Sequence, residues 1–474
     1  MTKILDNKTK IIATLGPSTS SSEIIKKMIE VGVDGFRFNF SHGDYKKFSD
    51  LVTIVRNESK RLKKDIPILG DFQGPKIRVG KIVNGEVELK KGNLIKIFDD
   101  DIIGNANEIS TSYPKLTKEV KVGERIFIDD GLIKLRIIDK KKNYILCKII
   151  EGGVLKERKG LNIPDSVLTT PSLTKTDLDW LNFAIQYNFD FLALSFVRND
   201  LDVIQLRELV RKKKVKIPII SKIELKLGIK NFESILKVSD GIMVARGDLG
   251  VELGPEEVPP LQKKIIKRCI EARKLVITAT QMLESMIHNP IPTRAEASDV
   301  ANVVLDGTDA VLLTAETSIG KDPIRVVQTM FRLLRRAEEM KATYNLKYDY
   351  IEEDEAHIQS IARAAVQIAN DLNSKIILPI TYSGFTAIVL SKYLPDAKIM
   401  AITNQKSTVN LLSLYRNVYP LYFSDISDID KIIEMTSHLL TSQKIIKKND
   451  LIVFVGSLKT KSKTISNLIK VVQT

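Results

Sequence analysis

Cysteine is almost missing from this chain. With only Cys147 and Cys269 in 474 residues, neither a disulfide framework nor a thiolate metal cage can be built, and the usage fits a reducing compartment. Long apolar runs are missing too. None approaches the ~20 residues needed to cross a bilayer, and the opening MTKILDNKTK has no apolar stretch leading to a small-residue cleavage site. These absences predict a cytoplasmic protein with no membrane partner. Neither a GxxxxGK[ST] phosphate loop nor a GxGxxG dinucleotide motif occurs, so two common ways of cradling a nucleotide are excluded. Low-complexity segments and repeats of solenoid period are also lacking.

What is present describes a globular protein of several domains, with 43% hydrophobic and 28% charged residues. A net charge of +15 raises nucleic acid as a partner. The lysines, however, are spread along the chain. Their only clusters, RLKKD, DKKKN, RKKKVK and KIIKKND, fall near expected helix ends or turns and lack the interleaved aromatics that stack bases. No nucleic-acid partner is expected, although the basic field suits small phosphorylated anions.

Eight short apolar runs recur from residue 10 onward: KIIATLG, GFRFNF, IPILGDF, FLALSFV, IPIISKIE, GIMVARGD, KLVITAT and AVLLTAE. Continuous apolar runs read as strands buried on both faces, and their alternation with helical stretches implies a parallel sheet. Eight such units predict a TIM (β/α)8 barrel with its chemistry at the carboxyl ends of the strands, a doubly wound sheet being the competing arrangement. Only IPILGDF has no helix after it. The runs EVELKKGNLIKIF, EISTSY, ERIFIDDG, LIKLRII and YILCKII follow instead, with NG, KG and DDG turns, and predict an inserted all-β lid. Beyond the charged YDYIEEDEAH, the strand candidates KIILPI, KIMAIT, NVYPLYF and DLIVFVG predict a C-terminal open α/β domain. The expected organisation is barrel over 1–74 and 172–340, lid over 75–171 and C-terminal α/β domain over 341–474.

The strand ends carry the chemistry. Lys222 and Glu224 lie two apart, so they share a face, and the next strand delivers Asp248 just after Gly247. Two carboxylates with a lysine between them make a hard-cation site for magnesium or manganese, an arrangement suited to a phosphate or enolate substrate. GFRFNFSHG places Arg37, Asn39 and Ser41 on one face of the second strand and His42 in the turn; a buried arginine there needs an anion. Thr280 ends the seventh strand, and Glu316 with Thr317 follows the eighth, where capping explains them equally well. Met282, Leu283 and Met286 read as core.

These segments resemble the pyruvate kinase family over nearly the whole chain. KIIATLGPS, RFNFSHG, GDFQGPKIR, KGLNIP, SFVRN, SKIE, DGIMVARGDLGVELG, TATQMLESM, PTRAEASDVANVVLDGTDAVLL and AETSIGKDP carry the likeness. The resemblance implies phosphoryl transfer from phosphoenolpyruvate to ADP, giving ATP and, after protonation of the enolate, pyruvate. It implies catalytic roles for Lys222, Arg37 and Thr280, and substrate binding by Arg37, Lys222, Gly247, Asp248 and Thr280. Magnesium is implied on Glu224 and Asp248, and nucleotide contacts at Asn39, His42, Arg78 and Lys175. A homotetramer is implied as well. Asn39, Ser41, Asp71, the Phe72 carbonyl and Lys76 match a monovalent-cation pocket. Lys76 stands where most members have glutamate and resembles the minority that work without potassium, so a built-in ammonium and no potassium requirement are expected, with Phe72 and Gln73 following the same minority pattern.

Elsewhere the pattern departs from the family. Leu225 follows SKIE in place of asparagine, and TAET replaces SGET, leaving Thr314 and Ala315 without an inherited role. TYSGFTA resembles an effector-phosphate loop through Thr381, Ser383, Gly384 and Thr386, so a phosphorylated allosteric effector is a candidate partner; Phe385 replaces a frequent arginine there, which argues against a sugar bisphosphate. The tail VGSLKTKSKTISNLIKVV also departs from the usual glycine-rich ending. Competing readings are a magnesium-dependent barrel lyase or aldolase acting on a keto acid, and a basic RNA-binding protein.

Overall fold

A computed structural model describes residues 7–340, 356–456 and 467–474. The eight apolar runs become the parallel strands Lys10–Thr14, Gly35–Asn39, Ile68–Asp71, Phe191–Leu194, Ile219–Ile223, Gly241–Ala245, Leu275–Ala279 and Ala310–Leu313. They pair in sequence order and close where Lys10 meets Ala310. Strand side chains alternate between faces. Ile12, Leu69, Ala193, Ile220, Met243 and Leu312 therefore fill the barrel, while Ile11, Phe36, Leu192, Ile219 and Val311 pack outward against the helices. Two residues beyond the filling layer, the same parity puts Thr14, Asp71, Ser195 and Lys222 inside at the carboxyl ends. Function thus follows from continuing the strand period by one step.

A regular device ties the opposite rim. Asp34, Asp190, Asp240 and Asp309 each stand immediately before an even-numbered strand and accept the first free N–H of its predecessor. The donors are Ile11 (3.0 Å), Ile68 (2.7 Å), Ile219 (2.8 Å) and Val276 (2.8 Å). Each carboxylate also pairs with a cation: Lys64, Arg56, Arg207 and Lys392, respectively. Lys392 and Asp309 are both almost fully buried. Removing one member of a buried pair strands the other charge. Lys392→Met is therefore expected to destabilise by about 3–5 kcal/mol, read as a lower thermal midpoint, and Asp309→Asn in the same chain to recover part of the loss.

Between Lys76 and Ser172 the chain forms a six-stranded and a two-stranded sheet around their own apolar cluster of Ile95, Ile97, Ile126, Leu135 and Ile149. The all-β expectation needs one correction. Leu116–Glu119 is a short helix, because Asp99 accepts from both the amide and the hydroxyl of Thr117 and so fixes its first turn. In the C-terminal segment the sheet order is Val418–Tyr422, Lys398–Thr403, Ile376–Pro379, Leu451–Gly456 and Leu468–Gln473, with the last strand antiparallel. The boundary segment YDYIEEDEAH lies outside the described residues up to 355, as does the tail over 457–466. The four lysine clusters fall at helix ends and in a hairpin turn. No helix among the described residues is long and apolar enough to cross a membrane.

Candidate active site

Asp71 organises the barrel mouth. Its Oδ2 accepts from Arg37 Nε at 2.7 Å and Nη2 at 2.7 Å, and its Oδ1 lies 3.3 Å from Lys222 Nζ. Burial pushes this carboxyl upward, but the charges of Lys222 and Arg37 outweigh it and hold the group below the usual carboxylate range. Arg37 also donates to Thr14 Oγ1 at 3.1 Å. The arginine that needed an anion has one within the protein, and substrate must share it.

Lys222 Nζ donates to Ser195 Oγ at 2.7 Å and forms ion pairs with Glu224 Oε1 (3.0 Å) and Asp71 Oδ1 (3.3 Å). Burial works to lower its pKa, yet Asp71 and Glu224 keep it above the ordinary lysine value, so the cation is permanent. Ser195 in turn donates to the Phe72 carbonyl at 2.7 Å. Glu224 is 1% exposed, and its Oε2 accepts the Phe196 N–H at 2.7 Å. Phe196 adopts φ 55°, a left-handed backbone that costs of order 1–3 kcal/mol in a side-chain-bearing residue. That amide is aimed at the carboxylate, which helps offset the strain.

Burial and the neighbouring charge of Asp248 both push Glu224 up. A carboxylate raised by burial and by its carboxylate neighbour fits a cation between the two, and their hard oxygens suit magnesium. Among the described residues no three His, Cys, Asp or Glu gather as a complete cage. An ion here would complete its shell with water and substrate oxygens, which is magnesium's habit. Asp248 follows Gly247, whose N–H donates to Thr280 Oγ1 at 2.9 Å. A Cβ on Gly247 would meet nothing nearer than 3.7 Å in the protein, so packing does not demand glycine and the backbone is left open.

Asn39, Asp71 and the Phe72 carbonyl come together across the second and third strands, where Asn39 is in register with Asp71. Ser41 is corrected: it lies beyond the strand face, in the single helical turn Phe40–His42, and its N–H donates to Asn39 Oδ1 at 3.2 Å. Lys76 does not join this group. Its Nζ instead lies 3.4 Å from Asp248 Oδ1, with its stem against Gly160, where a Cβ would stand 2.9 Å from Lys76 Cε. His42 is lowered by partial burial and by the charges of Arg78, Arg37 and Lys76, which marks the mouth as strongly cationic. Lys175 opens the helix Lys175–Gln186 and is exposed. In the loop Thr381–Thr386, Gly384 has φ 90° and its N–H is taken by Thr381 Oγ1 at 3.0 Å, while Phe385 lies 5.5 Å from the Arg273 guanidinium.

Several contributors escaped the sequence reading. Asp177, fully buried, accepts from the amides of Gln73 (3.1 Å) and Gly74 (3.4 Å) and so fixes the turn that presents Lys76. The capping box of TKTD, in which Asp177 answers Thr174, is the only local signal it carries. Thr14 and Ser195 were legible from strand parity. The inserted sheet reaches the mouth through Asn162 Nδ2, 3.2 Å from Glu252 Oε1, a carboxyl that burial pushes up to about 7.

A closed barrel whose strand ends gather three cations, Arg37, Lys222 and Lys76, and three carboxylates, Asp71, Glu224 and Asp248, around an open glycine backbone belongs to the enzymes that handle phosphate or enolate groups with a divalent ion. Comparison with known proteins narrows the class. The pyruvate kinase barrel-domain model matches residues 6–327, and the pyruvate kinase alpha/beta-domain model matches 359–472. A pyruvate kinase of Clostridium perfringens is 39% identical across 98% of this chain and 99% of its own length, and one of Thermotoga maritima 40% identical over the same shares. A crystal structure of a pyruvate kinase from Cryptosporidium parvum superposes with a TM-score of 0.90 at 36% identity, covering 98% of this chain and 96% of that one. The chain belongs to the pyruvate kinase family, which generally uses magnesium.

Proposed function

We propose that this chain transfers the phosphoryl group of phosphoenolpyruvate to ADP, and that the carrying observation is the Arg37–Asp71–Lys222–Glu224 array at the barrel mouth. Phosphoryl transfer asks little covalent chemistry of a protein, so positioned charge does the catalysis. In this reading Arg37 and the Gly247 amide hold the substrate, the amide exchanging Thr280 Oγ1 for a substrate oxygen. The Lys222 ammonium faces the phosphoryl group as its bond to the enol oxygen breaks and a terminal oxygen of ADP takes the phosphorus. Asn39, His42, Arg78 and Lys175 serve the nucleotide side, and Thr280 serves the carbon that is protonated. Glu224 and Asp248 would hold magnesium, which when bound neutralises phosphate and enolate charge.

Lys76 is proposed as the built-in monovalent cation. Among the described residues its ammonium pairs with Asp248, a metal carboxylate in this reading, so a divalent ion held by Asp248 would free the ammonium for the anionic substrate. A phosphorylated effector at residues 381–386 would have to displace Thr381 Oγ1 from the Gly384 amide. The deciding experiment measures pyruvate formed from phosphoenolpyruvate, ADP and magnesium; nucleotide-independent cleavage of a keto acid would instead support a lyase. Chelation of the divalent ion is expected to abolish turnover, and Glu224→Gln to raise the magnesium concentration needed for half-maximal rate by at least about tenfold, a low estimate for lost ligand chemistry.

A further inference from the structure

Arg246 neither binds substrate nor holds metal in this reading, yet its guanidinium is saturated. Nε (3.2 Å) and Nη2 (2.7 Å) both donate to the Thr280 carbonyl, and Nη2 also reaches the Gln281 carbonyl at 3.1 Å. Nη1 donates to Asp299 Oδ2 at 2.6 Å and Gln262 Oε1 at 3.3 Å. An arginine has five N–H donors in one plane, and here every one has an acceptor. The side chain is only 8% exposed, so it is no free cation for a ligand.

What it holds is strained. Thr280 and Gln281 are consecutive left-handed residues, at φ 67° and 53°. For side-chain-bearing residues each costs of order 1–3 kcal/mol and persists only where the surroundings over-determine it. Their carbonyls turn inward onto Arg246, and this turn sets Thr280 Oγ1 to accept the Gly247 N–H and to donate to the Ala279 carbonyl at 2.6 Å. Arg246 precedes Gly247 and Asp248 in the chain. One side chain therefore ties the end of the sixth strand, which leads into the Gly247 amide and the metal carboxylate Asp248, to the end of the seventh, which carries Thr280.

We infer that Arg246 is a positioning residue for the protonation half of the reaction: it fixes the left-handed Thr280–Gln281 turn so that Thr280 stands over the enolate carbon. This rests on the phosphoenolpyruvate–ADP reading. In that step the enolate double bond supplies the electron pair of a new C3–H bond, the proton comes from solvent at Thr280, and C2 becomes the ketone. Arg246 touches no reacting atom.

Lysine at this position keeps one charge for Asp299 but loses the planar fork that grips two carbonyls. The test compares Arg246→Lys with the wild-type enzyme in two assays: ATP formed in a single turnover, and deuterium uptake into the pyruvate methyl group in D2O, which reports the protonation step in reverse. Asp299→Asn, which loosens only the Nη1 anchor, is the milder second variant. The expected result is a loss of methyl exchange on the order of 10²-fold for Arg246→Lys, the scale of an ångström-sized misplacement. Single-turnover ATP formation and the KM for phosphoenolpyruvate should change far less, and Asp299→Asn should lie between. Equal losses in both assays, or exchange at the wild-type rate in either variant, would overturn the inference. If wild-type enzyme forms ATP but Arg246→Lys is unfolded, Asp299→Asn decides alone by the same ratio. Absence of ATP with the wild-type enzyme would instead refute the reading on which the inference rests.

Discussion

Lys222→Met is expected to lower kcat for pyruvate formation by roughly 10³-fold or more, the scale on which a cation at a transferring phosphoryl group acts, while KM for phosphoenolpyruvate changes little. The split has a structural basis. In the resting site the ammonium is already held by Ser195, Glu224 and Asp71. Binding substrate only exchanges one acceptor for another, so the ground state gains little. Charge that builds on the phosphoryl oxygens during transfer gains the whole interaction. Asp71 keeps Arg37 and Glu224 keeps the Phe196 amide when the lysine is gone, so the fold retains partners for both buried carboxylates. Steady-state kinetics with a thermal-midpoint control checks the result. A parallel loss in kcat and substrate affinity would mean that Lys222 serves binding instead.

The second large effect concerns monovalent ions. Wild-type enzyme is expected to be fully active in tetramethylammonium buffer, with potassium adding nothing. Lys76→Glu should lose on the order of 10²-fold in that buffer, the cost of removing one fixed electrostatic group from such a site, and potassium should restore most of it. Lys76 and Asp248 are about a quarter exposed, so their pair contributes modestly to stability and its loss should leave the fold unharmed. Glutamate at 76 would replace the ammonium with a carboxylate beside Asp248, leaving the mouth one fixed cation short and giving a potassium ion an oxygen to bind. Wild-type activity that needs potassium would refute the built-in ammonium and leave the phosphotransferase reading standing.

Legibility followed the physics of each feature. Strands buried on both faces announce themselves as β-branched runs, and all eight barrel strands could be read. Lys222, Glu224 and Arg37 were found because strand parity and a cost of burial point at them. The closing strand Leu468–Gln473 was not read: it has one paired edge and a largely exposed face, which leaves a mixed pattern. Hidden too were the left-handed backbones of Phe196, Thr280 and Gln281, since no local preference favours them. Glu224 and Arg246 impose them from other strands, and a single sequence carries no sign of a contact so distant. Placement of Lys76 on Asp248 escaped for the same reason, because the glycine at 160 that gives its stem room comes from the far end of the insert.

At the lower rim, the aspartates before the second, fourth and sixth strands draw their counter-charge from the barrel's own helices or the residues just after them. Asp309 draws its from Lys392, at the end of a helix in the C-terminal segment. Family models split this chain into two modules, yet the last stave of the barrel is fastened by the second one. A gene cut back to the barrel would leave an orphan carboxylate in its floor. Chimeras that join one relative's barrel to another's C-terminal half must inherit residues 309 and 392 as a matched pair, the buried charge pair among several ties between the halves, such as Asn410 on Asp190 and Lys8 on Asp396.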